Sequence, residues 1–133
     1  MPNVILIERD DTMRRLLTRL FERHGFEVRG ATDRVEGMQL MRAKPAWLVV
    51  LDLVVPEYEG IQTIRHLRHY HPNTRVFALA SGVKDEVESF LAIARELGAD
   101  YTLAKPFRPE QLLRVLSELI APAPLVACND DGD

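Results

Sequence analysis

Leu48-Val49-Val50-Leu51 is an unbroken apolar run that ends in a single carboxylate, Asp52. A short run of this kind reads as a strand buried on both faces, the kind found in a parallel sheet. A lone charge at the tip of a buried strand is costly unless the site uses it. In an open α/β sheet the carboxyl ends of the strands are where ligands bind. Asp52 is therefore the first residue to suspect of chemistry, against the plain alternative of a helix cap or loop acid, since Asp is common in strand-to-loop turns.

The rest of the chain repeats the pattern. Val4 to Ile7 is a second buried-strand candidate, followed by Glu8-Arg9-Asp10-Asp11. Asp11 or Thr12 is expected to cap a helix carrying Met13, Leu16, Leu17, Leu20 and Phe21, which His24-Gly25 stops. Phe26 to Gly30 alternates and reads as a strand nearer an edge; Thr32 or Asp33 caps a second helix that ends before Pro45. Gly60 leads into a third helix, Val76 to Ala80 is a fourth strand, and residues 85–97 form a fourth helix with Gly98 as its C′ residue. Tyr101 to Ala104 is a fifth strand before Lys105-Pro106, and Pro109 opens a fifth helix as its first residue. Five strands alternating with five helices predict an α/β fold: a doubly wound five-stranded parallel sheet covered on both faces. Residues 1–121 are expected to form one domain. Residues 122–133, rich in Pro, Gly and acids, read as a disordered tail or a truncated linker.

Composition excludes some classes. The 133 residues are 47% hydrophobic and 28% charged with a net charge of -3, which gives no electrostatic case for binding nucleic acid. No apolar run approaches the roughly 20 residues of a membrane helix. The single cysteine, Cys128, cannot form an internal disulfide, which agrees with a reducing cytoplasm. His66 and His69 are three apart on a helix, yet with Arg65 and Arg68 they read as a solvated basic face. The arginines of the first helix (Arg14, Arg15, Arg19 and Arg23) are expected on its outer face, and Trp47 as packing at the base of the central strand.

Four strands end in polar groups: Glu8 with Arg9, Asp52, Ser81 and Lys105. In a parallel sheet those ends share one edge, so the four converge although they span nearly the whole chain. A carboxylate nucleophile, an acid for a divalent cation, a hydroxyl and a lysine suit phosphoryl transfer to Asp52. Asp52-Leu-Val-Val-Pro56, Gly60 after a short acidic turn, Leu97-Gly98-Ala99-Asp100 and Lys105-Pro106-Phe107 resemble the receiver domain of bacterial two-component response regulators, over about residues 3 to 121. The resemblance implies a flavodoxin-like receiver fold. It implies Asp52 as phosphoacceptor from a histidine kinase or histidine phosphotransfer protein, with Lys105 and Ser81 binding the phosphoryl group. It also implies Mg²⁺ on Glu8, Asp52 and the Val54 carbonyl, and a cis Lys105-Pro106 bond. The expected protein is a cytoplasmic, stand-alone signalling module, because no helix-turn-helix follows Ala121. It is not an enzyme beyond its own phosphorylation and dephosphorylation. It is expected to act on a downstream protein target without touching nucleic acid or membrane, and to dimerise, if it does, through the face of the fourth and fifth helices.

Two departures bear on that reading. The family ends its first strand in two acids, and the second position here is Arg9, which stays protonated and accepts no hydrogen bond. Either Glu8 coordinates the metal itself, or Asp10 swings in, or Arg9 pairs with Asp52 in place of the metal, or Arg9 simply points to solvent. Mg²⁺ binding is expected to be weakened or lost. The switch hydroxyl is also displaced, because the register puts Ala80 where the family has Ser or Thr and Ser81 one later; only a bulge restores Ser81. Three before the lysine stands Thr102 rather than an aromatic residue, with Tyr101 turned to the opposite face. These features favour the alternative, a pseudo-receiver that binds partners without phosphorylation. A phosphatase of the haloacid dehalogenase type is disfavoured because Val54 stands where its second Asp belongs. A flavodoxin is disfavoured because the ERDDT loop would repel a phosphate.

Overall fold

A computed structural model describes residues 2–55 and 57–120. The expectation for residues 122–133 lies outside the described residues, as does Pro56. The element order is β1 (Asn3–Ile7), α1 (Asp11–Arg23), β2 (Glu27–Ala31), α2 (Arg34–Ala43), β3 (Leu48–Val54), α3 (Glu59–Tyr70), β4 (Arg75–Ser81), α4 (Lys84–Glu96), β5 (Tyr101–Ala104) and α5 (Pro109–Ile120). All strand pairs are parallel, in the order β2-β1-β3-β4-β5. The expected doubly wound sheet is therefore the observed one, with β3 at its centre and β2 on an edge.

Side-chain alternation along each strand divides the core in two. Ile5, Ile7, Val49, Leu51, Leu53, Val76, Ala78 and Ala80 face α2, α3 and α4. Val4, Leu6, Leu48, Val50, Phe77, Leu79 and Leu103 face α1 and α5. Most of these residues are fully buried, and each large one removes apolar surface worth about 1.5–3 kcal/mol from water. Trp47 lies at the amino-terminal end of β3, stacked on Phe26 at 5.7 Å with the Arg75 guanidinium 4.5 Å from its ring centre. It is packing, remote from the carboxyl edge.

Helix ends follow local chemistry, with one correction. α1 is capped by Asp10, whose carboxylate accepts the Met13 N–H at 2.7 Å, and not by Asp11 or Thr12. Three consecutive acidic or hydroxyl candidates compete there, and the one that leaves the strand extended before the first helical residue takes the cap. Asp33 caps α2 through Glu36 N–H at 2.8 Å. α4 ends with Gly98 at φ +112°, where Gly98 N–H bonds Arg95 and Ala99 N–H bonds Ala94. A Cβ on Gly98 would stand 2.7 Å from Arg68 Cδ. That arginine donates to the Pro72 and Thr74 carbonyls at 2.9 and 2.6 Å and to Asp100 at 3.2 Å. Asp100 in turn accepts the Val76 N–H, so one glycine lets α4 turn while Arg68 ties α3 to the start of β4.

Gly98→Ala combines a strained φ with displacement of Arg68. It is expected to destabilise the protein by about 1–2 kcal/mol. Urea unfolding should show a lower midpoint at an unchanged m-value.

Candidate functional site

The carboxyl ends of β1, β3 and β5 bring Glu8, Asp52 and Lys105 together. Glu8 follows β1 directly and is buried, with 1% of its surface exposed. Its backbone is fixed on both sides: Glu8 N–H donates to the Ala31 carbonyl at 3.0 Å, and its own carbonyl accepts from Arg14 Nη1 at 2.8 Å. Arg14 thus reaches back from α1 to hold the end of β1, in contrast to the expected place on the helix's outer face. Lys105 Nζ lies 2.7 Å from Glu8 Oε1 and 3.2 Å from Asp52 Oδ1. Only the first of these contacts has hydrogen-bond geometry; Asp52 Oδ1 is buried without a hydrogen bond among the described residues. The Lys105-Pro106 peptide is cis, as the resemblance implied.

The charges shape one another. Burial pushes the Asp52 carboxyl from its usual 3.8 up to about 6; the Lys105 ammonium opposes that rise and the Glu8 carboxylate adds to it. Burial alone would lower the Lys105 pKa, but its hydrogen bond to Glu8 and the charges of Asp52 and Glu8 outweigh burial and raise it. Lys105 therefore stays protonated and holds two carboxylates at the end of the sheet.

Beside Asp52 opens a small cleft of about 70 Å³, lined by Arg9, Arg34, Val54, Glu57, Glu59 and Gly60 among others. A Cβ on Gly60 would press on the Leu53 side chain, so the missing side chain lets α3 start close against β3. Arg9 is exposed on the cleft and makes no ion pair or side-chain hydrogen bond among the described residues. The expected alternative of an Arg9–Asp52 pair is not formed, because Lys105 already faces Asp52. Asp10 does not swing in, because it is engaged in capping α1.

The other expected residues fall outside this cluster. Ser81 ends β4 opposite Val54 in register, is exposed, and has no hydrogen bond among the described residues. Ala80 is fully buried on the α4 side and has no hydroxyl to offer. No bulge interrupts the β3–β4 register there. Thr102 and Tyr101 do face opposite sides: Arg95 of α4 donates to Thr102 Oγ1 at 2.8 Å, and Tyr101 packs edge-on to Phe77 at 6.2 Å. Arg34, Glu57 and Glu59 line the cleft; the sequence marked the two acids only as a turn before Gly60 and gave Arg34 no role. Their only shared signal there was their position just after strand ends.

Receiver domains generally bind Mg²⁺ at an acidic site. In this chain Asp52 Oδ1 is open to such an ion, but the rest of the expected donor set does not fit it as it stands. Both Glu8 oxygens are engaged, Oε1 by Lys105 and Oε2 by the Asp10 N–H at 3.1 Å. The Val54 carbonyl accepts the Glu57 N–H at 2.7 Å. Arg9 adds a fixed cation where a hard cation needs oxygen ligands. Among the described residues no group of three or more His, Cys, Asp or Glu is placed to hold a metal.

Because burial raises the Asp52 pKa, ionised Asp52 disfavours the folded state. That penalty is absent below the unfolded value near 3.8, grows as pH rises, and is complete above about 6. Asp52→Asn is expected to stabilise the protein by about 1 kcal/mol at pH 8, allowing for solvent screening, and by nothing near pH 4. Lys105→Met leaves two carboxylates facing each other and should cost about 3 kcal/mol at pH 8. Thermal unfolding of the two variants across this pH range reads both effects.

A family model described as the response regulator receiver domain matches residues 4–117. The transcriptional regulatory protein SrrA of Staphylococcus aureus is 34% identical over 114 residues, which cover 84% of this chain and 45% of SrrA. The chain thus spans just under half the length of the curated relatives it matches. A response regulator from Thermotoga maritima has the same fold, with a TM-score of 0.79 at 24% identity, covering 92% of this chain and 99% of that one. A response regulator protein from Burkholderia multivorans has a TM-score of 0.72 at 29% identity, covering 92% and 98%. With the sheet order, the carboxyl-edge cluster and these matches in agreement, the chain belongs to the receiver domain family of two-component response regulators.

Proposed function

We propose that Asp52 accepts a phosphoryl group from a sensor histidine kinase or a histidine phosphotransfer protein. The observation that carries this reading is the buried Asp52 oxygen with no hydrogen bond, beside an open cleft and 3.2 Å from Lys105. A carboxylate so placed is desolvated enough to react and has a cation at hand for the incoming charge. Lys105 binds one phosphoryl oxygen; Ser81, exposed at the end of β4 with no bulge to bring it in, is given no part in holding the group. The protein is a phosphoacceptor and not a catalyst acting on a separate substrate.

The output follows from what α4 and α5 expose. Val83 is 67% exposed at the start of α4, and Leu113 of α5 is 47% exposed. The Arg95–Thr102 hydrogen bond ties α4 to β5. A shift of the β4 end towards a phosphorylated Asp52 changes the footing of α4, and this face then binds or releases a downstream protein or a second copy of the chain. No direct contact with nucleic acid or membrane is proposed. Among the described residues no helix is long and apolar enough to cross a membrane, and the proposed location is the cytoplasm with the kinase's catalytic part.

Arg9 and the missing hydroxyl at Ala80 favour a second reading, a pseudo-receiver that binds partners without phosphorylation. Intact mass after incubation with acetyl phosphate decides between them. The wild type is expected to gain the mass of one phosphoryl group and Asp52→Asn none; an unmodified wild type supports the pseudo-receiver. Because the nucleophile is the carboxylate, the rate should rise with pH and level off above about 6. A rate that is flat from pH 4 upward contradicts the assignment of Asp52 as the buried acceptor.

A further inference from the structure

We propose that the cleft beside Asp52 receives the phosphoryl oxyanion without a divalent cation, the Arg9 guanidinium supplying the positive charge in the metal's place. This inference rests on the reading of Asp52 as acceptor and deepens it.

The charge balance of the cluster leads there. Glu8, Asp52 and Lys105 together carry one net negative charge, and Lys105 is already hydrogen-bonded to Glu8. Phosphorylated Asp52 carries about two negative charges in place of one. That extra charge needs a new cation. Of the three oxygen sources a metal site would use, Glu8 and the Val54 carbonyl already accept hydrogen bonds, from Lys105 with the Asp10 N–H and from the Glu57 N–H, and Asp52 carries the phosphoryl group itself. Two cations line the cleft. Arg34 faces Glu59 at 3.9 Å. Arg9 has no partner among the described residues. Of the acids on the cleft wall, Asp33 caps α2, while Glu57 and Glu59 stand exposed after the end of β3. Arg9 is thus the cation free to turn inward, and its planar fork matches two phosphoryl oxygens at once.

With acetyl phosphate as donor, an Oδ oxygen of Asp52 forms a bond to phosphorus as the bond from phosphorus to the acetate oxygen breaks. The electron pair leaves with acetate and no proton changes hands. Lys105 and Arg9 hold the phosphoryl oxygens while charge moves across, and neither is consumed.

The test measures acetyl phosphate uptake by intact mass, in EDTA and in MgCl₂, for the wild type, Arg9→Gln and Arg9→Asp. Amide NMR shifts under Mg²⁺ titration provide a readout that does not depend on uptake. The wild type is expected to react within about twofold equally in both media, and Arg9→Gln in EDTA at least about tenfold more slowly. Arg9→Asp should require Mg²⁺ and show saturable Mg²⁺ shifts at Asp52 and Val54 that the wild type lacks. A wild type that needs Mg²⁺, or that shows those shifts itself, overturns the inference and leaves Asp52 as acceptor. Uptake by Arg9→Asp alone overturns it as well and makes Arg9 a disabling residue. No uptake by any variant in either medium defeats the acceptor reading, and this inference with it.

Discussion

The Lys105 ammonium, held between the Glu8 and Asp52 carboxylates, is the interaction on which the functional edge depends. Glu8 is buried and charged, a combination that survives only when the charge is paired and its remaining lone pairs are satisfied. Lys105 and the Asp10 N–H provide both. The pair joins residues 97 apart in sequence and links the first strand to the last. The sheet makes this possible, because a parallel arrangement with β3 at its centre gathers the strand ends at one edge. The rest of the fold is a scaffold for that edge, with two apolar layers keeping the strands rigid and the helix caps placing each loop.

Arginine at position 9 alters the electrostatics of a familiar arrangement. An acid there would lower the charge of the cleft and offer oxygen to a cation. Arg9 instead raises it and offers hydrogen-bond donors. The cleft thus keeps its acids but gains a guanidinium where a second acid would stand. Lys105 limits how far Asp52 is raised, so the carboxyl still ionises near neutral pH while remaining desolvated.

Much of this was legible in the sequence. Continuous apolar runs marked the three inner strands, because residues buried on both faces leave no polar alternation. Gly98 and Pro109 announced the end of α4 and the start of α5 through backbone chemistry that few other residues supply. Asp52 and Lys105 stood out as charges next to buried strands. The cap of α1 was less legible because Asp10, Asp11 and Thr12 are chemically near-equivalent, and only the backbone path selects among them. Arg14 looked like surface because its backbone-holding role depends on where β1 ends relative to the helix. The preference of Lys105 for Glu8 over Asp52 was not legible at all. It depends on differences of a few tenths of an ångström between strand ends, which no spacing encodes. For Ser81, the uninterrupted pairing of Leu53 with Ala80 and of Val54 with Ser81 answers the question of a bulge that the sequence left open.

The measurement that tests this account most directly is the pH titration of the Asp52 side-chain carboxyl by ¹³C NMR. The account predicts a midpoint near 6, set by burial against the opposing Lys105 charge. A midpoint at the usual 3.8 would mean that Asp52 is solvated or tightly hydrogen-bonded, and would contradict the desolvated, lysine-faced carboxylate on which the proposed chemistry rests.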